Sequence, residues 1–273
     1  MNKPIKILVF GDINGKIGRK ALIKELPKLK KKYQPTLVIA NCENLAHGFG
    51  ITPHTIDEMT KAGINFFTSG NHIFDKPAAK EIFNGLECPI IRPANYKKRV
   101  WGSGEKVIKI GQNSLLMVNL MGRVFIKEDE FTNPFKAADL ILKKYKSQKF
   151  NAILFDFHAE ATSEKVALGH YLNGRASALW GTHTHIQTAD EKILDHGTAY
   201  ITDLGMVGDA NGVIGVDKEN VIKRFLYSET IGKDLKMNDT GKAIINGLYL
   251  EINPKTAKTI KIKRINILTE IRN

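Results

Sequence analysis

Two histidines stand one residue apart in the segment GTHTH, residues 181–185. If this segment is extended, side chains at positions i and i+2 point the same way, so His183 and His185 should project onto one side. Two neutral imidazoles that converge are a common pair of metal ligands. The same spacing also occurs by chance on exposed strands, so this pair alone leaves metal binding open.

Other side chains that could bind a metal ion or carry a proton follow predicted strands. Apolar runs predict these strands at 5–10, 36–40, 64–68, 152–155 and 176–180. The polar residues lie at or just past the strands' carboxyl ends: Asp12, Glu43, Asn44, Asn71, His72 and His158. Each residue alone could be a turn residue, a helix cap or a buried histidine. Because ligand crevices in α/β folds lie outside the carboxyl ends of the strands, we expect the whole set to gather at one edge.

The residue types at these positions fit a centre with two metal ions. Asp and Glu supply hard oxygen donors, Asn an amide carbonyl and His a neutral nitrogen, a mixture that suits Fe, Mn or Zn better than Ca. Two such ions can hold a bridging hydroxide and clamp a phosphoryl group during in-line displacement. One carboxylate usually bridges the ions, and Glu43 is the candidate because it is central in the set.

The elements that must position these residues alternate between strands and helices. Helical patterns cover 53–62, 77–84, 134–145 and 163–172, and an earlier one runs through Leu22, Leu26 and Leu29. This alternation predicts parallel strands in an α/β layered fold. From about residue 242 the chain alternates apolar and polar residues, which predicts antiparallel strands with one wet face. No solenoid repeat or low-complexity linker is visible, so we expect a single domain over 1–273.

Composition limits the class of protein. The chain has 273 residues, 42% hydrophobic residues and a formal net charge of +13. No apolar run approaches the ~20 residues that a membrane span needs, and no signal peptide is visible, so no membrane partner is expected. Cys42 and Cys88 are the only cysteines, which favours the cytoplasm. The basic charge would attract RNA, but no RNA-binding module is visible, and the charge can also be compositional bias.

Longer segments around the candidate residues carry a family resemblance. They read CENLAHGFG (42–50), GNHIFD (70–75), RPAN (92–95), DFHAEATSEK (156–165), GTHTHIQTAD (181–190) and TAYITDLGMVG (198–208). With Gly11-Asp12, they resemble the calcineurin-like metallophosphoesterase signature, in particular its YmdB-type branch. The resemblance implies a four-layer α/β sandwich of two mixed β-sheets flanked by helices. It also implies phosphodiesterase activity on cyclic nucleotides, with 2′,3′-cyclic nucleotides as the first expectation.

The resemblance also implies a role for each candidate residue. One metal ion would be held by Asp12, Glu43, Asn44 and His185, and the other by Glu43, Asn71, His158 and His183. His72 would be the proton donor to the leaving oxygen after attack by the bridging hydroxide. Asp75 either orients His72 or caps a helix, and His47 either contacts substrate or shapes its glycine-rich loop.

Two positions depart from related patterns. The wider superfamily opens with D-x-H, whereas position 14 is Asn here, and the YmdB-type branch uses the equivalent of Asn44 instead. This exchange makes the first site harder and favours iron or manganese over zinc. Cys42 stands where the family usually has Gly, and it is either a reactive thiol or a packing residue.

Two other functions remain open at this stage. The same centre could serve a phosphomonoesterase or nucleotidase, because a fold does not fix its substrate. The chain could also be an RNA-binding regulator whose metal ions are structural. The oligomeric state cannot be read from the sequence.

Overall fold

In a computed structural model, which describes residues 3–85, 88–98, 100–126, 128–227 and 236–272, the chain forms twelve strands and six α-helices. The strands are β1 (Ile5–Ile13), β2 (Leu37–Asn41), β3 (Phe66–Thr68), β4 (Glu105–Ile110), β5 (Asn113–Met121), β6 (Ala152–His158), β7 (Ala178–Thr182), β8 (Lys192–Ile193), β9 (Ala199–Ile201), β10 (Met206–Asp209), β11 (Gly241–Ile252) and β12 (Thr259–Ile271). The helices are α1 (Gly15–Tyr33), α2 (Pro53–Ala62), α3 (Ala79–Asn84), α4 (Pro134–Lys144), α5 (Thr162–Tyr171) and α6 (Lys218–Tyr227). None of the described helices is long and apolar enough to cross a membrane.

The strands form two mixed sheets. The first has the order β12-β11-β10-β1-β2-β3, in which β1 runs parallel to β2 and β10 but antiparallel to β11. The second has the order β4-β5-β6-β7-β9-β8, with parallel pairing from β5 through β9 and antiparallel strands at both edges. The antiparallel pair predicted for the tail is β11 and β12.

Successive side chains of each strand point to opposite faces of its sheet, so each sheet packs against a different layer on either side. In β1, Ile7 and Val9 enter a core between the two sheets, to which Trp180 of β7 also belongs. Their neighbours Leu8 and Phe10 face the other way, into a core built with α1 and α2. Residues of the second sheet likewise pack outward against α4 and α5. The molecule is therefore a four-layer α/β sandwich, which confirms the fold that the sequence motifs implied.

The strand ends that carry the candidate residues meet across the two sheets. Thr68 at the end of β3 donates to the Asp156 carboxylate of β6, and the Ser69 amide donates to Asn119 Oδ1 of β5 at 3.0 Å. The ends of β1, β2 and β3 come from one sheet and those of β6 and β7 from the other. The polar edge expected from the sequence is thus a rim shared by two stacked sheets.

The backbone of β1 approaches a neighbouring loop closely at Gly11, just before Asp12. A Cβ atom on Gly11 would lie 1.7 Å from the Gly205 carbonyl oxygen, so a side chain cannot be accommodated there. The pairing register with β2 shifts between Phe10 and Asp12, and the Asp12 amide donates to the Gly205 carbonyl at 3.2 Å. Glycine at position 11 therefore allows the local path that carries Asp12 onto the rim.

Candidate metal centre

His158 lies at the centre of the polar cluster and is fully buried. Its Nε2 atom is 3.0 Å from Glu43 Oε1, 3.2 Å from Asn71 Oδ1 and 3.1 Å from His183 Nδ1. The ligand atoms of Glu43, His158 and His183 all lie within 4.8 Å of one another, close enough to share one metal ion. The last residue of β6 thus lies next to residues that follow β2, β3 and β7.

The opposite edge of the His158 ring is held by a chain of hydrogen bonds. Nδ1 lies 2.9 Å from Thr182 Oγ1, and that hydroxyl donates to Asp156 Oδ1 at 2.7 Å. Because the Thr182 proton goes to Asp156, its oxygen accepts from Nδ1–H, which turns Nε2 toward Glu43 and Asn71. Asp156 therefore supports His158 through Thr182. Ligand tautomers are commonly fixed in this way at metal sites.

Removing the Thr182 hydroxyl tests this chain. Thr182→Val keeps the side-chain volume but removes the acceptor for Nδ1–H, so we expect metal affinity to fall about 10–100-fold. Thr182→Ser keeps the hydroxyl and should bind metal as the unmodified protein does. Competition against a chelator measures both variants, and thermal unfolding checks that both remain folded. Equal affinities of the two variants would contradict this role for Thr182.

Glu43 is the carboxylate of the cluster that was expected to be shared, and it is held from two sides. It is 1% exposed, its Oε1 atom faces His158, and its Oε2 atom accepts the His72 amide at 2.9 Å. Burial raises the pKa of this carboxyl, but the charge of His158 and hydrogen bonds from His158 and His72 lower it more, to about 2. Glu43 is therefore ionised at neutral pH, the form that binds cations.

The two neighbouring imidazoles have opposite pKa shifts. Burial alone would lower the pKa of His158, but the carboxylates of Glu43, Asp12 and Asp156 outweigh it and raise the value to about 9. Burial and the charge of His158 lower the pKa of His183 to about 3. The site thus places concentrated negative charge around His158 and keeps His183 neutral.

Two buried oxygen atoms point to a cation. Asp12 Oδ1 and Asn44 Oδ1 are buried and have no hydrogen-bond partner among the described residues. The other polar atoms of both side chains are engaged, because Asp12 Oδ2 accepts the His183 amide at 3.2 Å and Asn44 Nδ2 donates to the Gly48 carbonyl at 2.7 Å. A buried acceptor without a partner is costly, and a bound metal ion would satisfy both oxygens.

His185 lies in the loop after β7 and lines the same cavity as Asn44. Its Nδ1 atom lies 2.8 Å from the Ile214 carbonyl, so Nδ1 is the protonated nitrogen and Nε2 remains available as a ligand. Asn14, which stands at the position of the superfamily histidine, is 97% buried with Nδ2 3.4 Å from His185 Nδ1. Its Oδ1 atom is buried and has no hydrogen-bond partner in the described part of the chain.

The local backbone of the two histidines differs from the expectation. Strand β7 ends at Thr182, and His183 and His185 have positive φ values of 104° and 66°. The prediction that an extended strand points both rings the same way is therefore wrong. Both rings nevertheless reach the same cavity, because a turn brings them there.

Further hydrogen bonds hold this turn. The Thr184 amide donates to Asp203 Oδ2 at 3.2 Å, and the same carboxylate oxygen lies 2.6 Å from the buried Lys165 ammonium. Glu160 Oε2 lies 3.1 Å from His183 Nε2 and orients that ring. No local sequence pattern indicates that Glu160, Lys165 and Asp203 support the site, since their partners lie on other segments of the chain.

Gly70 leaves room for the ligands. A Cβ atom there would lie 2.3 Å from His158 Nε2 and 2.4 Å from Glu43 Oε2. Any larger residue would fill the space between these two groups. The glycine that precedes Asn71 in the motif is therefore required by the site itself.

His72 faces solvent beside the cluster. Its Nδ1 atom is 2.7 Å from Asp75 Oδ2, and its ring packs edge-to-face on Phe49 at 4.8 Å between centroids. With Nδ1–H directed at Asp75, Nε2 is the atom that can meet a substrate. Of the two interpretations of Asp75, the geometry favours the one in which it orients His72.

Two of the residues singled out in the sequence, His47 and Cys42, lie outside the cluster of side chains around His158. His47 is exposed with φ 56° and does not line the cavities over the cluster, whereas its neighbours Gly48 and Phe49 do. Its contact with substrate stays a prediction. Cys42 is fully buried in the apolar core beside α1 and α2, and burial raises the pKa of its thiol well above the usual value, which favours the packing interpretation.

A cavity of about 340 Å³ opens over the cluster. Its polar floor includes Glu43, Asn44, His183 and His185, and its walls are largely apolar. The wall residues are Phe49, Ile214, Val216 and Met237. The cavity therefore offers a charged floor and apolar sides to a small molecule.

Known proteins resemble the chain over nearly its whole length. A family model described as YmdB-like protein matches residues 8–265. The 2′,3′-cyclic-nucleotide 2′-phosphodiesterase of Bacillus subtilis (strain 168) is 43% identical over 266 residues, which cover 96% of this chain and 97% of the relative. The crystal structure of a phosphatase from Mycoplasma pneumoniae has a TM-score of 0.91 at 34% identity and covers 99% of this chain and 96% of its own. The NAD nucleotidase of Haemophilus influenzae shares the fold alone, with a TM-score of 0.60 at 13% identity, over 98% of this chain and 56% of its own.

Proposed function

This chain belongs to the YmdB-like protein family of metallophosphoesterases, and we propose that it is a metal-dependent phosphodiesterase that hydrolyses cyclic nucleotides, with 2′,3′-cyclic nucleotides preferred. The observation that carries the proposal is a pair of buried oxygens, Asp12 Oδ1 and Asn44 Oδ1, that have no hydrogen-bond partner in the described part of the chain. In the same cluster, the ligand atoms of Glu43, His158 and His183 lie within 4.8 Å of one another. The name of the Bacillus subtilis relative supports the choice of substrate.

The residues fit two metal ions. We assign one ion to Asp12, Glu43, Asn44 and His185, and the other to Glu43, Asn71, His158 and His183, with Glu43 shared. Carboxylate, amide and imidazole donors without thiolate favour iron or manganese, and zinc is compatible with the same set. When bound, such ions supply Lewis-acid stabilisation of the phosphoryl oxygens and activate water at neutral pH.

The chain's own residues contribute proton transfer and binding. His72 donates a proton to the departing ribose oxygen from Nε2, and Asp75 holds the imidazole by its Nδ1–H. The apolar walls of the 340 Å³ cavity exclude water beside the phosphate and pack against the nucleoside. A single domain over 1–273 is also proposed, because the core between the sheets is shared by strands from both halves of the chain.

A phosphomonoesterase on the same centre is the second candidate, since the Mycoplasma pneumoniae relative is called a phosphatase. Binding of RNA to the basic surface stays a prediction from the net charge of +13.

Parallel assays with 2′,3′-cyclic AMP, 3′,5′-cyclic AMP and AMP test the proposal, together with elemental analysis before and after chelation. We expect the highest kcat/KM on 2′,3′-cyclic AMP, loss of activity when metal is removed, and recovery on adding Mn²⁺ or Fe²⁺. Activity that survives complete metal removal would overturn the metal assignment. Hydrolysis of AMP alone would establish the monoesterase instead.

A further inference from the structure

A second cavity of about 310 Å³ adjoins the first. His72 and His183 line both cavities, so a phosphate held at these residues has room on two sides. A cyclic mononucleotide carries one nucleoside, and the first cavity supplies walls for it. The second cavity is therefore not used by the proposed reaction on cyclic substrates.

Phe125 stands at the second cavity with its ring almost free. Its side chain is 86% exposed although it is a large apolar residue, and its backbone has a positive φ of 64°. An exposed aromatic side chain on a backbone with positive φ, beside reactive groups, suggests a binding role. The cavity wall behind it includes the buried ring of Phe131.

The backbone before Phe125 is fixed by hydrogen bonds. The Glu164 carboxylate accepts the amides of Arg123 at 3.0 Å and Val124 at 3.3 Å. The Gly122 amide donates to the carbonyl of His158 at 2.9 Å, which ties this loop to the metal centre. The Ile126 amide donates to the Arg123 carbonyl at 3.2 Å and closes a turn around Phe125. The ring is thus presented to the cavity on a held loop, which lowers the entropic cost of binding.

The chemistry of the second cavity suits a nucleoside. Aromatic side chains in reach of solvent stack on nucleobases of any sequence. The carboxylates of Asp75 and Glu130 also line this cavity and can accept hydrogen bonds from sugar hydroxyls and base amino groups. Their negative charge disfavours a further phosphate, so a neutral nucleoside fits better than a longer, charged chain.

We propose that the second cavity is a subsite for the second nucleoside of a linear dinucleoside phosphodiester, with Phe125 stacking on its base, so that the enzyme also cleaves short linear substrates. This inference rests on the proposed function. One water is consumed: its oxygen bonds to phosphorus, and the P–O bond to one sugar breaks. The departing oxygen keeps the electron pair and takes a proton from His72. A proton released from the water then reprotonates His72. The products are a nucleoside and a nucleoside monophosphate.

Kinetics with adenylyl-(3′→5′)-adenosine and 2′,3′-cyclic AMP test the proposal on the metal-loaded full-length protein. We expect the unmodified enzyme to cleave both. Phe125→Ala should raise KM for the dinucleoside roughly 10-fold and lower the preference for it over the cyclic substrate by a similar factor, because the lost stacking concerns the second base. Phe125→Trp should restore the preference.

Phe225→Ala is the matched control, because Phe225 lies on α6, is 85% exposed and lines neither cavity. It should leave both activities as in the unmodified enzyme. Elemental analysis of Phe125→Ala should return the unmodified metal content, which separates a lost subsite from a damaged centre. The proposal is overturned if the enzyme cleaves 2′,3′-cyclic AMP but not the dinucleoside, or if Phe125→Ala lowers both activities equally. Failure to cleave either substrate would instead refute the proposed function itself.

Discussion

Glu43→Gln is expected to lose tightly bound metal and to lower kcat/KM on 2′,3′-cyclic AMP by roughly 10³-fold or more. Glu43 is the carboxylate assigned to both ions, and its pKa of about 2 keeps it ionised. Glutamine removes that charge and offers one oxygen in place of two. Since metal ions supply several kcal/mol of transition-state stabilisation and each 1.36 kcal/mol is tenfold in rate, their loss dominates the result.

The substitution leaves the fold intact for a physical reason. Glutamine has the size of glutamate, so the small space next to Gly70 stays filled, and its amide oxygen can still accept the His72 amide. Elemental analysis measures the metal content, kinetics measure kcat/KM, and thermal unfolding shows whether the fold is intact. Glu81→Gln, an exposed change on α3, is the control that should retain metal and activity. Full metal content with full activity in Glu43→Gln would rule out the shared ligand.

The main elements of the fold could be predicted because their patterns are long. The helix expected at 53–62 is α2, and the apolar runs before Asp12, Glu43 and His158 are β1, β2 and β6. The short strands β8 and β9 have two and three residues, too few for a period to be visible, and they were missed. That two sheets stack face to face was implied only by the family resemblance. A continuous apolar run indicates that both faces of a strand are buried, but it does not indicate which elements cover them.

The gathering of the candidate residues followed from their position at strand ends, and the structure brings all eight to the shared rim. The supports of the site could not be predicted in the same way. Thr182 and Glu160 act on rings that reach them across the fold, and no local pattern records such a contact. The turn at His183 and His185 was also missed, since two non-glycine residues with positive φ values are uncommon and follow from tertiary contacts.

Phe49 and Asp75 give His72 a defined orientation without making it part of the buried cluster. The His72 ring is partly exposed and contacts Asp75 through Nδ1, whereas the side chains of Glu43 and His158 are buried. A residue placed in this way can deliver a proton without holding a metal ion. This placement separates two properties, catalysis and metal retention, that would be lost together if His72 were a ligand.

His72→Ala is therefore expected to lower kcat on 2′,3′-cyclic AMP by about 10²–10⁴-fold while the metal content stays unchanged. The loss should be much smaller on bis(p-nitrophenyl) phosphate, because p-nitrophenolate is a stable leaving group that needs no proton. His54→Ala, an exposed change on α2, is the control and should match the unmodified enzyme on both substrates. Kinetics on the two substrates and elemental analysis of the same samples decide the outcome. An equal loss on both substrates would argue against proton donation by His72, and a simultaneous loss of metal would make it a ligand.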